Sequence, residues 1–191
     1  LVMSIAYYKL AQTGLLSVYR DRSMLITDLV VATGVQFVIQ FAIWRFVYDQ
    51  GSAGALSQYS LEETYLYYVA VLALNRLNNA YDLISRVSTH VHEGQLEGIF
   101  IKPVSYFEYN LFVFLGESAL YYAPILIIAI FVLVSGGDWT GVLGFVVLSM
   151  TNLFFCFLLG FLMSLSTFWL TWPDMILSFQ VVLARVMGGT L

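Results

Sequence analysis

The sequence predicts an all-α fold, a polytopic transmembrane helical bundle with an N-terminal amphipathic interfacial helix. Three observations predict it. Of the 191 residues, 60% are hydrophobic and only 10% charged, with a mean hydropathy of +0.84. Soluble domains carry roughly a quarter charged residues, and a chain of this size could not hide so much apolar surface from water. The apolar runs reach about 20 residues, enough to cross a hydrocarbon core of about 30 Å at 1.5 Å per residue. Lys and Arg also cluster on one set of connecting segments, the positive-inside pattern.

Residues 4–22 are amphipathic. Ile5, Tyr8, Leu15, Leu16 and Tyr19 recur at helical spacing, while Lys9, Gln12, Thr13 and Arg20 fall elsewhere around the helix. Such a helix fits the headgroup boundary, and the alternative is that these are the first turns of a long spanning helix. Its polar residues exclude a signal peptide. Residues 24–48 form a first span, with Asp28 and Arg45 near its ends, and the Gly/Ser-rich stretch 49–60 is a loop. Residues 61–85 form a second span, apolar and aromatic at first and then carrying Asn75, Arg76, Asn78, Asn79 and Asp82. The stretch 86–108 is longer and more polar. Residues 109–134 are a third span, with Glu117 and Pro124 inside it. Ser-Gly-Gly-Asp-Trp at 135–139 is a tight turn ending in an interfacial tryptophan. A fourth span occupies 140–170, and Trp172, Pro173 and Asp174 mark the break before a fifth at 174–191. The apolar runs are too long, and alternate too little, for barrel strands. The chain stops at Leu191 just after an apolar stretch with no polar tail, and so reads as a fragment.

Lys9, Arg20 and Arg22 precede the first span, and Arg86 and Lys102 lie between the second and third. The opposite connections, 49–60 and 135–139, contain no Lys or Arg. The topology that follows has a cytoplasmic N-terminus and a cytoplasmic 86–108 segment; Arg45, near the outer end of the first span, is the one exception.

Several chemistries are excluded or lack support. The net charge of −4 is scattered, and the basic residues are too few and dispersed for a nucleic-acid footprint. Cys156 stands alone inside an apolar run, so it packs rather than bridges or binds metal. His90, His92 and Glu93 have no further convincing metal ligand near them. No phosphate-cradling Gly-x-x-x-x-Gly-Lys-Ser/Thr loop, nucleophile elbow or His-Glu-x-x-His helix occurs. The chain therefore shows no catalytic apparatus and no sign of binding ATP itself.

The most informative stretch is the amphipathic link from His92 to Ser105, His-Glu-Gly-Gln-Leu-Glu-Gly-Ile-Phe-Ile-Lys-Pro-Val-Ser, where Pro103 disfavours helix at Lys102. Spacing alone leaves two readings open: a loop lying on the membrane, or a docking element for a cytosolic partner. Here the chain resembles the permeases of ATP-binding-cassette (ABC) type-2 exporters. A large bacterial branch of that family carries Gly-x-Leu-(Asp/Glu)-x-x-(apolar)-x-(Arg/Lys)-Pro-(apolar)-Ser after its second span. Gly94, Leu96, Glu97, Phe100, Lys102, Pro103, Val104 and Ser105 match it, and Phe168-Trp169-Leu170 with Gly188 and Gly189 extend the likeness.

The resemblance implies six spans, of which about five lie in this chain, and a multi-pass protein of the cell inner (plasma) membrane. It implies pairing with a second permease subunit, as a homodimer or a related heterodimer. Cytosolic ABC ATPase subunits would dock on His92, Glu93, Gly94, Leu96, Glu97, Ile99, Phe100, Lys102 and Pro103. ATP and Mg would be bound by the partner ATPase, and this chain would hold no cofactor.

Asn75, Asn79, Asp82 and Arg86 follow one another at three- and four-residue spacing, so a continuous helix places them on one face. Arg76 can reach Asn79, Asp82 can pair with Arg86, and Glu117 is a candidate partner for Arg76. Groups this polar at membrane depth face protein or water rather than lipid. They can line the pathway, bond across a subunit interface or mark the cytoplasmic rim. From residues alone, a membrane-embedded enzyme acting on lipid-linked substrates, centred on Arg76, Asp82 and Glu117, and an ion-driven secondary transporter stay open beside the exporter.

Overall fold

The structure, a computed structural model, describes residues 2–21, 23, 26–49, 60–77, 80–101, 104–169, 178 and 182. Among the described residues the regular elements are all helical. α1 covers Val2–Arg20, and a π-helical segment, Thr27–Ala32, precedes α2, Thr33–Asp49. α3 is Leu61–Asn75, α4 is Ala80–His92 and the short α5 is Leu96–Phe100. α6, Tyr106–Val134, and α7, Trp139–Leu165, follow, and a 3-10 turn, Ser166–Phe168, prolongs α7. α6, and α7 with its 3-10 turn, are long and apolar enough to cross a membrane, with windows of mean hydropathy 2.1 and 2.3.

Local chemistry sets these boundaries. Ser105 and Glu108 form a capping box at the start of α6. The Ser105 Oγ accepts from the Glu108 N–H at 3.2 Å, and the Glu108 Oε2 accepts from the Ser105 N–H at 3.1 Å. Ser60 and Glu63 do the same for α3 at 3.2 and 2.7 Å. α6 ends on Gly136, whose φ of +85° suits glycine, and the Gly137 N–H returns to the Val132 carbonyl at 2.9 Å. Asp138 then caps α7 by accepting from the Thr140 N–H at 3.2 Å. These caps allow α6 to run for 29 residues, about 43 Å, although Pro124 withholds an N–H from its interior.

α6 and α7 form an antiparallel hairpin. The Tyr122 hydroxyl meets the Ser149 Oγ at 2.6 Å, and Phe107 and Phe114 lie against Phe157 with ring centroids 5.3 and 5.4 Å apart. α4 packs into this hairpin through Ala80, Leu83, Ile84, Val87 and Ser88, one face at helical spacing. Ala80 sits so close to Gly160 of α7 that a Cβ there would lie 2.9 Å from the Ala80 Cβ. The core gathers around Leu77, Leu83, Val87, Phe114, Ile125 and Phe157. α2 and α3 form a second antiparallel pair, with Phe41 stacked on Tyr65 at 4.5 Å and the Tyr48 hydroxyl 2.9 Å from Thr64.

α1 lies alongside the first half of α6 and runs in the same direction. Tyr7 stacks on Phe112 at 4.5 Å, and the backbones nearly touch further along. A Cβ on Gly116 would lie 2.0 Å from the Ala11 carbonyl oxygen, and one on Gly14 would lie 2.2 Å from that of Val113. Small residues permit this approach, the usual device for joining helices in lipid. Ile5, Tyr8, Leu15, Leu16 and Tyr19, the expected interfacial face, all point away from the protein.

The boundaries expected from sequence shift in informative ways. The second span, 61–85, is not one helix but two: α3 ends at Asn75 and α4 begins at Ala80. Asparagine competes for its own backbone groups and is a poor helix former, and this stretch carries Asn75, Asn78 and Asn79. The 86–108 segment shrinks to 93–105, because 86–92 belongs to α4 and 106–108 to α6. Within the first span, Thr27–Ala32 is π-helix rather than α-helix. Residues 50–59 of the expected loop, and the fifth span at 174–191 apart from Ser178 and Val182, lie outside the described residues.

Candidate functional site

The link between α4 and α6 begins with a helix stop that only glycine accommodates well. Gly94 has φ +69°, and the Gln95 N–H reaches back to the His90 carbonyl at 3.0 Å. The Glu93 N–H bonds the Thr89 carbonyl at 2.9 Å, and the Gln95 Nε2 donates to the Glu93 Oε2 at 2.6 Å. α5 follows at once. Ile99 anchors it, being 5% exposed, while Leu96 is half-buried. His92, Glu93, Gly94 and Glu97 are exposed, and Ile101 is 85% exposed. Phe100 is the last residue of α5, and Lys102 and Pro103 lie outside the described residues. The link thus presents a short acidic and apolar surface between α4, of 13 residues, and the 29-residue α6.

The polar residues expected on one face of the second span are divided by the helix break. Asn75 is exposed at the end of α3, Arg76 is half-buried at its C-cap, and Asn79 lies outside the described residues. Asp82 is exposed in the first turn of α4. Glu117 pairs with Arg86, through the arginine Nη1 and the Glu117 Oε1, rather than with Arg76. The reason is topological. α4 runs antiparallel to α6 and brings Arg86 level with Glu117, whereas Arg76 sits beside Pro124, about 10 Å further along α6.

The Arg86–Glu117 pair is the most deeply placed charge in the described structure. Its side chains are 17% and 10% exposed. Polar atoms of the pair itself, Arg86 Nε and Nη2 and Glu117 Oε2, find no partner among the described residues, nor do Asn110 Oδ1 and Ser118 Oγ of the same α6. Asn110 spends its amide on the Tyr106 carbonyl at 2.9 Å. Gly14 of α1 closes over the backbone of Glu117, so three helices meet at this pair. Nearer the link, His90 Nδ1 lies 3.4 Å from the Tyr106 hydroxyl. Among the described residues no group of three or more His, Cys, Asp or Glu side chains is placed to hold a metal ion. Cys156 packs half-buried against the core.

The sequence set Arg86 on the polar face with Asn75, Asn79 and Asp82 and offered it Asp82 as a partner, and its pattern did not single out Gly14, Gly116, Asn110 or Ser118. The spacing Ala11-x-x-Gly14 carried a readable signal for close helix packing; the opposing Gly116 did not, without the fold.

An all-helical bundle with one charged pair buried among its helices, and with two helices long and apolar enough to cross a membrane, has the make-up of a helical membrane protein. The chain belongs to the ABC-2 transporter family: the model described as ABC-2 family transporter protein matches residues 34–185. That match takes in the link, the Arg86–Glu117 pair and both long apolar helices. The chain matches no curated protein and no solved structure. It is therefore a membrane-embedded transporter permease.

Proposed function

We propose that this chain is the permease subunit of an ATP-driven exporter of the ABC-2 type, working as a dimer in the cell inner membrane with its N-terminus in the cytosol. ATP and Mg bind separate cytosolic ATPase subunits, and the link at 93–105 is where they dock. The observation that carries this reading is the exposed acidic and apolar surface of the link, held by Gly94 and Ile99 between α4 and α6. A partner that closes on ATP can then move both helices at once. Such coupling requires that the link contact the ATPase differently in its two states.

The remaining topology follows from the same reading. α3 and α4 together cross the membrane as one interrupted span, and α1 rests its outward apolar residues in the lipid of the cytoplasmic leaflet. The Arg86–Glu117 pair then lies in the inner half of the membrane. Here it joins the helix entering the link to the helix leaving it, so a push on α5 moves α4 and α6 as one body.

The test is purification of the tagged permease from its own membranes, followed by a Mg-ATP hydrolysis assay. The permease brings an ATPase with it, and Glu97→Lys combined with Ile101→Asp releases that ATPase while leaving the permease intact. Vesicle transport that ran on an ion gradient without ATP would instead identify a secondary transporter, and turnover of a lipid-linked substrate by the isolated chain would identify an enzyme.

A further inference from the structure

The end of the bundle away from the link holds a groove with an acidic rim. It encloses about 370 Å³ between the start of α3, the last turns of α6 and the first turns of α7. Leu66, Ala70, Val132 and Phe145 wall it with apolar surface, over buried Ala129. Glu63 and Asp138 are the charged residues of its lining, and both are exposed. Tyr67 also lines it. The Tyr67 ring meets Tyr68 edge-on at 5.7 Å, and Tyr68 in turn is backed by Trp44 at 5.3 Å. The volume lies within the range of small-molecule sites.

Both carboxylates keep their charge. The Glu63 Oε2 accepts from the Ser60 N–H at 2.7 Å, and the Asp138 carboxyl accepts from the Thr140 N–H at 3.2 Å and from the Thr140 hydroxyl. These donors are neutral, and neither acid takes part in the Arg45–Asp49 or the Arg86–Glu117 ion pair. The connections at this end, 49–60 and 135–139, contain no Lys or Arg that could neutralise them. Capping needs an acceptor rather than a charge, since Asn serves as an N-cap and Gln completes a capping box. Two negative charges therefore stand over an apolar groove, beside an aromatic ring. A neutral hydrocarbon would leave the carboxylates unused, and a metal ion would leave the apolar walls in contact with water. A cation with an apolar body satisfies both, and its charge is drawn to the Tyr67 ring as well.

We propose that this groove is a binding site for an amphiphilic organic cation, its apolar body against Leu66, Ala70 and Phe145 and its head between Glu63 and Asp138. The proposal deepens the permease reading by naming a ligand class and rests on it only for placing the site at the outer face. Its occupancy requires no ATPase.

The probe is tritiated tetraphenylphosphonium, added to the purified, assembled permease in nanodiscs of zwitterionic lipid and read against empty nanodiscs. Decyltrimethylammonium displaces it, and decanol, equal in chain length but uncharged, does so roughly tenfold more weakly. Glu63→Gln combined with Asp138→Asn preserves both caps and brings the two competitors to within about twofold of each other. Glu62→Gln, which removes an exposed acid of the same helical turn outside the lining, binds as the wild type does. Gly141 lines the groove, and a Cβ added there would meet nothing within 4 Å. Gly141→Leu therefore grows into the open space and abolishes probe binding, and leucine is also the better helix former. If Gly141→Leu lowers the yield of folded protein, Ala70→Phe provides a second filling variant with the same result. Equal displacement by the two competitors from the wild type, or binding untouched by both the charge-neutral and the filling variants, overturns the site. So does the absence of saturable binding to the assembled permease, the result if lipid or the second subunit covers the groove. Because no ATP enters this assay, loss of the site leaves ATPase docking unaffected, and failure of ATPase docking leaves the site standing.

Discussion

Two helices press on the same stretch of α6 by opposite means. α1 meets it through Gly14 and Gly116, backbone against backbone, with no side chain between. α4 meets it at the very next residue through Arg86 and Glu117, a charged pair with polar atoms left over on it. Lipid removes the hydrophobic drive that joins helices in water, so association rests on close packing or on polar pairing. The first is dry and fixed in shape. The second holds its two helices through charge and leaves polar atoms without partners among the described residues. The glycine seam fastens α1 to α6, and the ion pair ties the helices that flank the link.

The largest effect sharpens this contrast. Glu117→Ala strands the Arg86 charge in a buried site and destabilises the protein by about 3–5 kcal/mol, read as thermal unfolding in nanodiscs. Replacing both Arg86 and Glu117 by leucine recovers most of that loss, while function falls if the pair transmits motion. A double variant as unstable as Glu117→Ala would show that the pair does not act as a unit.

Gly116→Val ranks next. Its Cβ would meet the Ala11 carbonyl oxygen, so α1 must retreat, at a cost of about 1–3 kcal/mol or more. Gly144 of α7 has nothing within 4 Å of an added Cβ, and Gly144→Ala stabilises by up to about 1 kcal/mol through helix propensity. Equal responses at the two glycines would refute the seam.

Ser105→Ala removes the cap where α6 begins and lowers stability by about 1 kcal/mol, measured in the same unfolding assay. Both contacts on α6 depend on that end of the helix, so the difference between them survives the substitution.

The smallest effect serves as a control at the far end of the bundle. Hydrogen bonds from the Thr140 side chain and then its backbone N–H hold the Asp138 carboxyl below its ordinary value of 3.8. A carboxyl lowered by folding contributes stability above its unfolded pKa and loses it as pH falls through the folded one. Thr140→Val raises the Asp138 value toward 3.8, seen by NMR titration, so acid destabilisation begins at a higher pH than in the wild type. The behaviour of the seam and of the ion pair at neutral pH is unchanged.

Much of the membrane character was legible in the residues. The apolar runs at 109–134 and 140–170 became α6 and α7 with ends displaced by a few residues, because Ser105 and Asp138 cap earlier than the apolar run begins. The polar link between α4 and α6 was legible from Gly94 onward. The break after Asn75 was less so: its asparagines were in view, yet the apolar lead-in from Tyr65 to Leu74 favoured a single span. The partner of Glu117 was beyond reach, since both Arg76 and Arg86 lay within plausible sequence distance.

By itself the sequence determined the solvent of this protein, the helical character of its spans and the place of its polar link. Those follow from composition and periodicity, which act locally or through bulk transfer into lipid. Tertiary structure alone decided that Arg86 rather than Arg76 faces Glu117, that Gly14 lies on Val113 and that Gly116 lies on Ala11. Such pairings depend on how far one helix slides along another, a quantity set by packing between segments distant in the chain.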